Sequence, residues 1–228
     1  MKDKIAFVLI HGFGGSVSEV YPLAEHLREM GFVSTCSKLN GHTENRKDMA
    51  GFSYKDWISS AEKDYLELIK DFESVVIVGF STGGLIGINL SIKYNIKALV
   101  TISTPVYVWN FKHMILNIIN SDKETRIRNL KHYIYSATSF PISSLIQFQI
   151  LLHKTKAILP KVFSPILILQ GLDDDTVRSK SAKYIYEKVS SSLKRIHFFE
   201  KAGHVVLKGP ASASAIQIIQ DFIDKEII

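Results

Sequence analysis

The sequence predicts an α/β fold, with a mostly parallel central sheet and helices on both faces, and three observations carry that prediction. Short apolar runs alternate with longer segments of helical spacing, the rhythm that builds a parallel sheet. The runs are continuous and aliphatic, as in Val75-Val76-Ile77-Val78, which suits strands covered on both faces. Two of them lead directly into glycine-rich turns, one around His11 to Gly15 and one around Gly79 to Gly84. With 228 residues and one cysteine, Cys36, the chain suits a single domain with a substantial core and no internal disulfide.

Taken in order, Ile5 to Ile10 is a buried strand and His11-Gly12-Phe13-Gly14-Gly15 is the turn after it. A helix is expected over residues 17–30, with Val20, Leu23, Ala24 and Leu27 on one face and Gly31 as its stop. Residues 32–39 form the next strand, which ends in Asn40-Gly41-His42, where His42 is expected to hold the loop in place. Spacing predicts a helix over 54–72 that turns Trp57, Ile58, Ala61, Tyr65, Leu68 and Ile69 inward. Val75 to Val78 is the next strand. The helix after it, to about Tyr94, sets Leu85, Ile86, Ile88, Asn89, Leu90 and Ile92 against the sheet, and Ala98 to Ile102 is the fourth strand.

The rhythm fails between Pro105 and Pro160, where only amphipathic, aromatic-rich pieces occur, at residues 109–119 and 145–152. A segment inserted after a strand's C-terminal end reads as a cap over the site. The chain therefore divides into a core of residues 1–104 and 161–228 and a cap insertion of residues 105–160. Phe111, Met114, Ile115, Phe140 and Phe148 either line an acyl pocket or form the cap's own small core. The α/β rhythm returns with a strand at 165–170, the acidic turn Gly171 to Asp175, a helix at 179–189 and a strand at 195–199. The loop Lys201-Ala202-Gly203-His204 and a helix over 212–227 complete the chain.

Gly79-Phe80-Ser81-Thr82-Gly83 fits the G-x-S-x-G pattern, in which a strained strand-to-helix turn exposes the serine hydroxyl. Serine is a weak nucleophile at its free pKa and needs a base; an imidazole with a pKa near 6.5 is suited to take the proton and return it. Among eight histidines, His204 combines a glycine-preceded loop with a place after the last strand. A carboxylate must then hold the imidazole in one tautomer. Asp174, three residues past Gly171 and three before Val177, has the preferred spacing; Asp175 is second, and Asp173 is expected to shape the turn. The backbone N–H groups of Phe13 and Thr82 are placed to hold an oxyanion. His11 is read as a support for its turn.

Composition narrows the alternatives. The net charge of +6 lies wholly between Val106 and Val162, where eight Lys and Arg face only Asp122 and Glu124. That segment carries no nucleic-acid motif; it is either a solvated helical face or a surface that favours an anionic ligand. No apolar run reaches the roughly 18 residues of a membrane span, and Ile5 to Ile10 is too short for a signal peptide, so a cytoplasmic protein without stable membrane insertion is expected. Gly12-Phe13-Gly14-Gly15 lacks the dinucleotide-binding frame and no His/Cys/Asp cluster has ligand spacing, so neither cofactor nor metal is expected.

From Phe7 to the C-terminal helix the chain resembles the bacterial carboxylesterases and monoacylglycerol lipases of the α/β-hydrolase superfamily. The likeness rests on Leu9-Ile10-His11-Gly12-Phe13, Asn40-Gly41-His42, Gly79 to Gly84, Thr104-Pro105-Val106-Tyr107, Gln170 to Asp174 and Gly203-His204-Val205. It departs at Thr43, where the family often has glycine, at the N-terminus, which starts almost directly at the first central strand, and in the cap. The resemblance implies Ser81 as nucleophile, Asp174 as acid, His204 as base and the Phe13 and Thr82 amides as oxyanion hole. It implies hydrolysis of a small ester, with short to medium acyl groups preferred. A thioesterase or an acyltransferase uses the same residues, and a non-catalytic ligand-binding protein is the alternative of another class.

Overall fold

The structure, a computed structural model, describes residues 4–108 and 140–228. Among them, β1 (Ile5–Ile10), β2 (Val33–Ser37), β3 (Ser74–Phe80), β4 (Ala98–Ile102), β5 (Ile166–Gly171) and β6 (Lys194–Phe199) form one sheet in the order β2-β1-β3-β4-β5-β6. Every pairing is parallel. The strands expected from the sequence are all present, with ends shifted by at most two residues.

Strand alternation sends neighbouring residues into two separate cores. Ala6, Val8 and Ile10 join Val75 and Ile77 beneath α2 (Tyr54–Leu68), α3 (Thr82–Lys93), α4 (Ile142–Ile158) and α5 (Lys180–Lys188). Ile5, Phe7 and Leu9 join Val76 and Val78 beneath α1 (Tyr21–Glu29) and α6 (Ser212–Phe222). This double coverage is why the strands read as unbroken apolar runs. Val75 to Val78 are fully buried, and at roughly 1.5–3 kcal/mol for each such side chain they give the turn after β3 a firm base.

The topology also decides where a site can form. β1 and β3 are neighbours, with Ile10 opposite Gly79, but the chain leaves β1 toward β2 on one side and β3 toward β4 on the other. Connections that diverge in this way open a crevice at the C-terminal strand ends. The glycine-rich turns after β1 and β3 flank it.

Several expectations need correction. The helix expected over 17–30 begins at Tyr21, after a separate 3₁₀ turn at Val17–Glu19. Pro22 is the reason: within a helix begun earlier its ring would meet the Ser18 carbonyl, whereas in the first turn it is tolerated. Gly31 does end the helix, with φ +87°. The next helix stops at Leu68, four residues short of expectation. Ile92 is 38% exposed although expected against the sheet; it lies near the helix end, just beyond Asn89, the residue that meets α4.

Helix α4 contains the piece expected at 145–152 and packs on α2 and α3. Its polarity runs against the amphipathic rule. Ser144, Leu151 and Thr155 are buried, with Thr155 accepting from Asn89 Nδ2 at 2.7 Å, while Ile142 is 76% and Ile146 53% exposed. Residues 109–119, with Phe111, Met114 and Ile115, lie outside the described residues, as do five of the eight basic residues of the charged segment. Of the other three, Lys154 stands over the Tyr54 ring and Lys156 over Tyr107 and Tyr184. No helix among the described residues is long and apolar enough to cross a membrane.

Candidate active site

β3 runs into α3 through Ser81, which takes φ +51° and ψ −118°, a conformation that side chains other than glycine rarely adopt. The surrounding crowding requires glycine at two positions. A Cβ on Gly79 would lie 2.3 Å from the Gly83 carbonyl oxygen, and one on Gly83 would lie 2.2 Å from that of Ile10. The Ser81 amide donates to the Ile102 carbonyl at 2.8 Å, so the strained residue is tied to the neighbouring strand. Non-glycine residues at positive φ cost about 1–3 kcal/mol and persist where the surroundings over-determine them.

Ser81, Asp174 and His204 come together at this edge from β3, β5 and β6. His204 Nδ1–H donates to Asp174 Oδ2 at 2.8 Å, which leaves Nε2 as the acceptor that faces Ser81 Oγ at 3.2 Å. Asp174 is almost fully buried and its carboxylate is held by more than the histidine. Oδ1 accepts from the Thr176 and Val177 amides at 2.9 and 2.8 Å, and Oδ2 also accepts from Gln170 Nε2 at 3.0 Å. The two other aspartates do different things: the Asp173 amide donates to the Ala202 carbonyl, and Asp175 accepts from the Thr176 hydroxyl.

The loop after β1 is built around the Gly12–Phe13 peptide. Its carbonyl accepts from His11 Nδ1–H at 2.9 Å and from the Gly15 amide at 3.2 Å. In a trans peptide the N–H points opposite to the carbonyl, so these two bonds also fix the direction of the Phe13 N–H. The loop lies directly on the serine, since a Cβ on Gly12 would stand 3.2 Å from Ser81 Cβ. Thr82 opens α3, and its amide belongs to the first turn, where N–H groups have no intrahelical acceptor and the helix end favours negative charge.

The other histidines of the site are kept neutral. Burial lowers the His11 pKa, and burial together with the adjacent His11 holds His42 down to about 4. His42 stacks edge-on against His11, Phe13 and Trp57 and donates from Nδ1 to the Asn40 carbonyl, consistent with a loop support. Cys36 is half-buried, and burial raises its thiol pKa.

Phe140 and Phe148 pack on Phe13, with ring centroids 4.8 and 5.3 Å away, and Trp57 meets it edge-on at 5.6 Å. An apolar wall thus begins at Phe13, in the loop that rests on Ser81. Beside this wall lies a cavity of about 950 Å³ whose lining includes Gly14, Gly15, His42, Arg46, Val205 and Lys208, with Arg46 stacked over the Phe140 ring. Among the described residues no three His, Cys, Asp or Glu side chains converge as metal ligands.

Sequence reasoning passed over three supporting side chains. Gln170 grips the Asp174 carboxylate, and Glu19 accepts from the Gly12 amide at 2.9 Å. Ser103, at φ +49°, donates its hydroxyl to the His204 carbonyl at 2.9 Å. A serine directly after a strand was the only signal for the last, and a separation of 101 positions along the chain hides the contact.

Residues 5–110 match the family model described as alpha/beta hydrolase fold, and residues 65–228 match the one described as BAAT / Acyl-CoA thioester hydrolase C terminal. The chain is 23% identical to a carboxylesterase of Bacillus subtilis (strain 168), over 98% of this chain and 93% of the relative. It is 28% identical to a thermostable monoacylglycerol lipase of Bacillus sp. (strain H-257), over 88% of this chain and 83% of the relative. A solved structure from work on LipS and LipT, two metagenome-derived lipolytic enzymes, superposes with a TM-score of 0.82 at 18% identity, covering 99% and 96% of the two chains. The chain therefore belongs to the α/β-hydrolase superfamily, in the family that the BAAT / acyl-CoA thioester hydrolase C-terminal model describes, and is similar to carboxylesterases and monoacylglycerol lipases over most of its length.

Proposed function

We propose that this protein hydrolyses carboxylic esters through an acyl-enzyme formed on Ser81. The observation that carries the reading is the imidazole of His204, hydrogen-bonded to Asp174 through Nδ1 and facing the Ser81 hydroxyl with Nε2. Ser81 Oγ attacks the ester carbonyl as Nε2 takes its proton. Asp174 keeps the imidazole in that tautomer and stabilises the imidazolium without itself becoming protonated. The Phe13 and Thr82 amides stabilise the tetrahedral oxyanion, each worth about 10²–10³ in rate. Collapse expels the alcohol, which leaves with the proton from Nε2. Water then repeats the sequence on the acyl-serine, releasing the acid and restoring the free hydroxyl. No cofactor is called on at any step.

The relatives named carboxylesterase and monoacylglycerol lipase support an ester as substrate. The Phe13, Phe140 and Phe148 wall supports an apolar acyl group of short to medium length, and residues 105–160 as the cap that shapes its pocket. The lone Cys36 supports a reducing, cytoplasmic setting. A second reading, thioester hydrolysis or acyl transfer on the same residues, is favoured by the match to the acyl-CoA thioester hydrolase model.

Labelling with a fluorophosphonate tests the nucleophile: wild type is modified and Ser81→Ala is not, and intact labelling of Ser81→Ala would sink the assignment. Turnover of p-nitrophenyl esters of rising chain length, beside monoacylglycerols and acyl-CoA, separates the two readings. Thioesters consumed far faster than esters would overturn the first.

A further inference from the structure

We propose that Glu19 is a positioning residue for the reaction, a carboxylate that pins the oxyanion loop against Ser81 by accepting the Gly12 N–H. The inference rests on the ester-hydrolase reading above and deepens it by assigning a residue outside the Ser81–His204–Asp174 relay. Glu19 lies in the short 3₁₀ turn before α1 and folds back seven residues, so that Oε2 meets the Gly12 amide at 2.9 Å. Its carboxylate occupies the hollow of the loop: a Cβ on Gly15 would fall 2.2 Å from Oε2, and one on Gly12 3.3 Å from it. That same Gly12 is the residue that rests on Ser81 Cβ.

Two consecutive peptides of the loop are therefore fixed from opposite directions. The His11–Gly12 peptide is held at its N–H by Glu19, and the Gly12–Phe13 peptide is held at its carbonyl by His11 and the Gly15 amide. With both planes fixed, the Phe13 N–H has one direction. An oxyanion donor must be pre-aimed to be effective, because reorganisation during the reaction would remove most of its benefit. Burial raises the Glu19 pKa above the usual carboxylate value, an effect only partly offset by the Gly12 N–H, His204 and Lys208. The bond itself needs an acceptor at that point, which a carboxamide oxygen also supplies.

Steady-state turnover of p-nitrophenyl butyrate by wild type, Glu19→Gln, Glu19→Asp, Glu19→Ala and Ser81→Ala tests the assignment, together with inhibition by an alkylboronic acid that forms a tetrahedral adduct on the serine. Glu19→Gln keeps the acceptor and should remain within about threefold of wild type in kcat. Glu19→Asp keeps the charge but falls about 1.5 Å short of Gly12, and like Glu19→Ala should lose about 10–100-fold in kcat with KM nearly unchanged. Boronate affinity should weaken in parallel with kcat. Wild-type kcat in both Glu19→Asp and Glu19→Ala, or a Glu19→Gln variant as impaired as Glu19→Asp, would overturn the proposal; the Gln/Asp pair decides even if the alanine variant does not fold. Persistent turnover by Ser81→Ala would instead overturn the hydrolase reading on which it rests.

Discussion

Replacing Asp174 by asparagine turns one acceptor oxygen into a donor NH₂ and hardly changes the side chain's size, and the surroundings dictate the outcome. The carboxylate accepts four N–H groups: the Thr176 and Val177 amides on Oδ1, and Gln170 Nε2 and His204 Nδ1 on Oδ2. An asparagine has one oxygen. If it keeps the two backbone amides, the NH₂ faces Gln170 and His204, both donors. His204 must then move its proton to Nε2 so that Nδ1 can accept. That proton points at Ser81 Oγ, and the imidazole can no longer receive the hydroxyl proton. The reverse orientation sets NH₂ against two backbone N–H groups and leaves the turn after Gly171 unsupported. A histidine in the wrong tautomer costs about 10⁴ in kcat, or about 5 kcal/mol of barrier. The assay is kcat on p-nitrophenyl butyrate, with fluorophosphonate labelling to count competent sites. Asp175→Asn, whose carboxylate accepts from the Thr176 hydroxyl, should stay within about threefold. A loss below tenfold in Asp174→Asn, or an equal loss in Asp175→Asn, would refute the tautomer argument.

Other substitutions probe the scaffold. Gly83→Ala sets a methyl 2.2 Å from the Ile10 carbonyl oxygen, a backbone atom with nowhere to go, and should destabilise the protein by about 3 kcal/mol or more in urea denaturation. Gly203→Ala, next to His204 but with nothing within 4 Å of the new methyl, should change stability by about 0.5 kcal/mol or less. His42 sits near 4 in the native state against about 6.5 unfolded. The unfolded chain therefore binds its proton first as pH falls, so this contribution is full above pH 6.5 and is lost progressively toward pH 4, on the order of 3 kcal/mol in all. His42→Gln should flatten that part of the stability–pH curve, and an unchanged slope would count against it. Phe148→Ala opens the wall behind Phe13 and should raise KM for a medium-chain ester about tenfold while leaving the labelling rate of Ser81 by a small fluorophosphonate near wild type.

The sheet was legible because both of its faces are covered, so each strand is an unbroken apolar run bounded by a turn. The serine turn was legible for steric reasons: the glycines at 79 and 83 stand where no Cβ fits. Asp174 could be picked from three adjacent aspartates because its distance from Gly171 suits a carboxylate that caps the Thr176 and Val177 amides. What failed did so locally or at long range. Pro22 shortens α1 by a rule that reads from one residue, and periodicity alone overlooked it. α4 is apolar on most sides, so spacing did not reveal that Thr155 faces inward while Ile142 and Ile146 face out. The contacts of Ser103 with His204 and of Glu19 with Gly12 depend on how loops return to the sheet edge, and that is set by tertiary packing.

The relay's geometry follows from hydrogen bonds that continue the sheet beyond its last regular residues. The Ser81 amide donates to Ile102 on β4, and the Ser103 amide to Leu169 on β5. Leu172 then donates to Phe199 on β6, and Asp173 to Ala202 in the loop that leads to His204. From Ser81 to His204, each strand end is thus tied to the next by a main-chain bond, and the Ser103 hydroxyl adds a direct link from the end of β4 to His204. Both strained serines, Ser81 and Ser103, stand one residue past adjacent strands and are held by this extension. A site that must keep its groups within about 0.5 Å of a working geometry needs such support. Residues 107 and 108 brace the same edge from the far side of β4: Val108 bridges Val177, whose amide holds the Asp174 carboxylate, and the Tyr107 carbonyl accepts from the Arg178 amide, so the turn that positions Asp174 is tied to the segment that follows β4 as well as to β6.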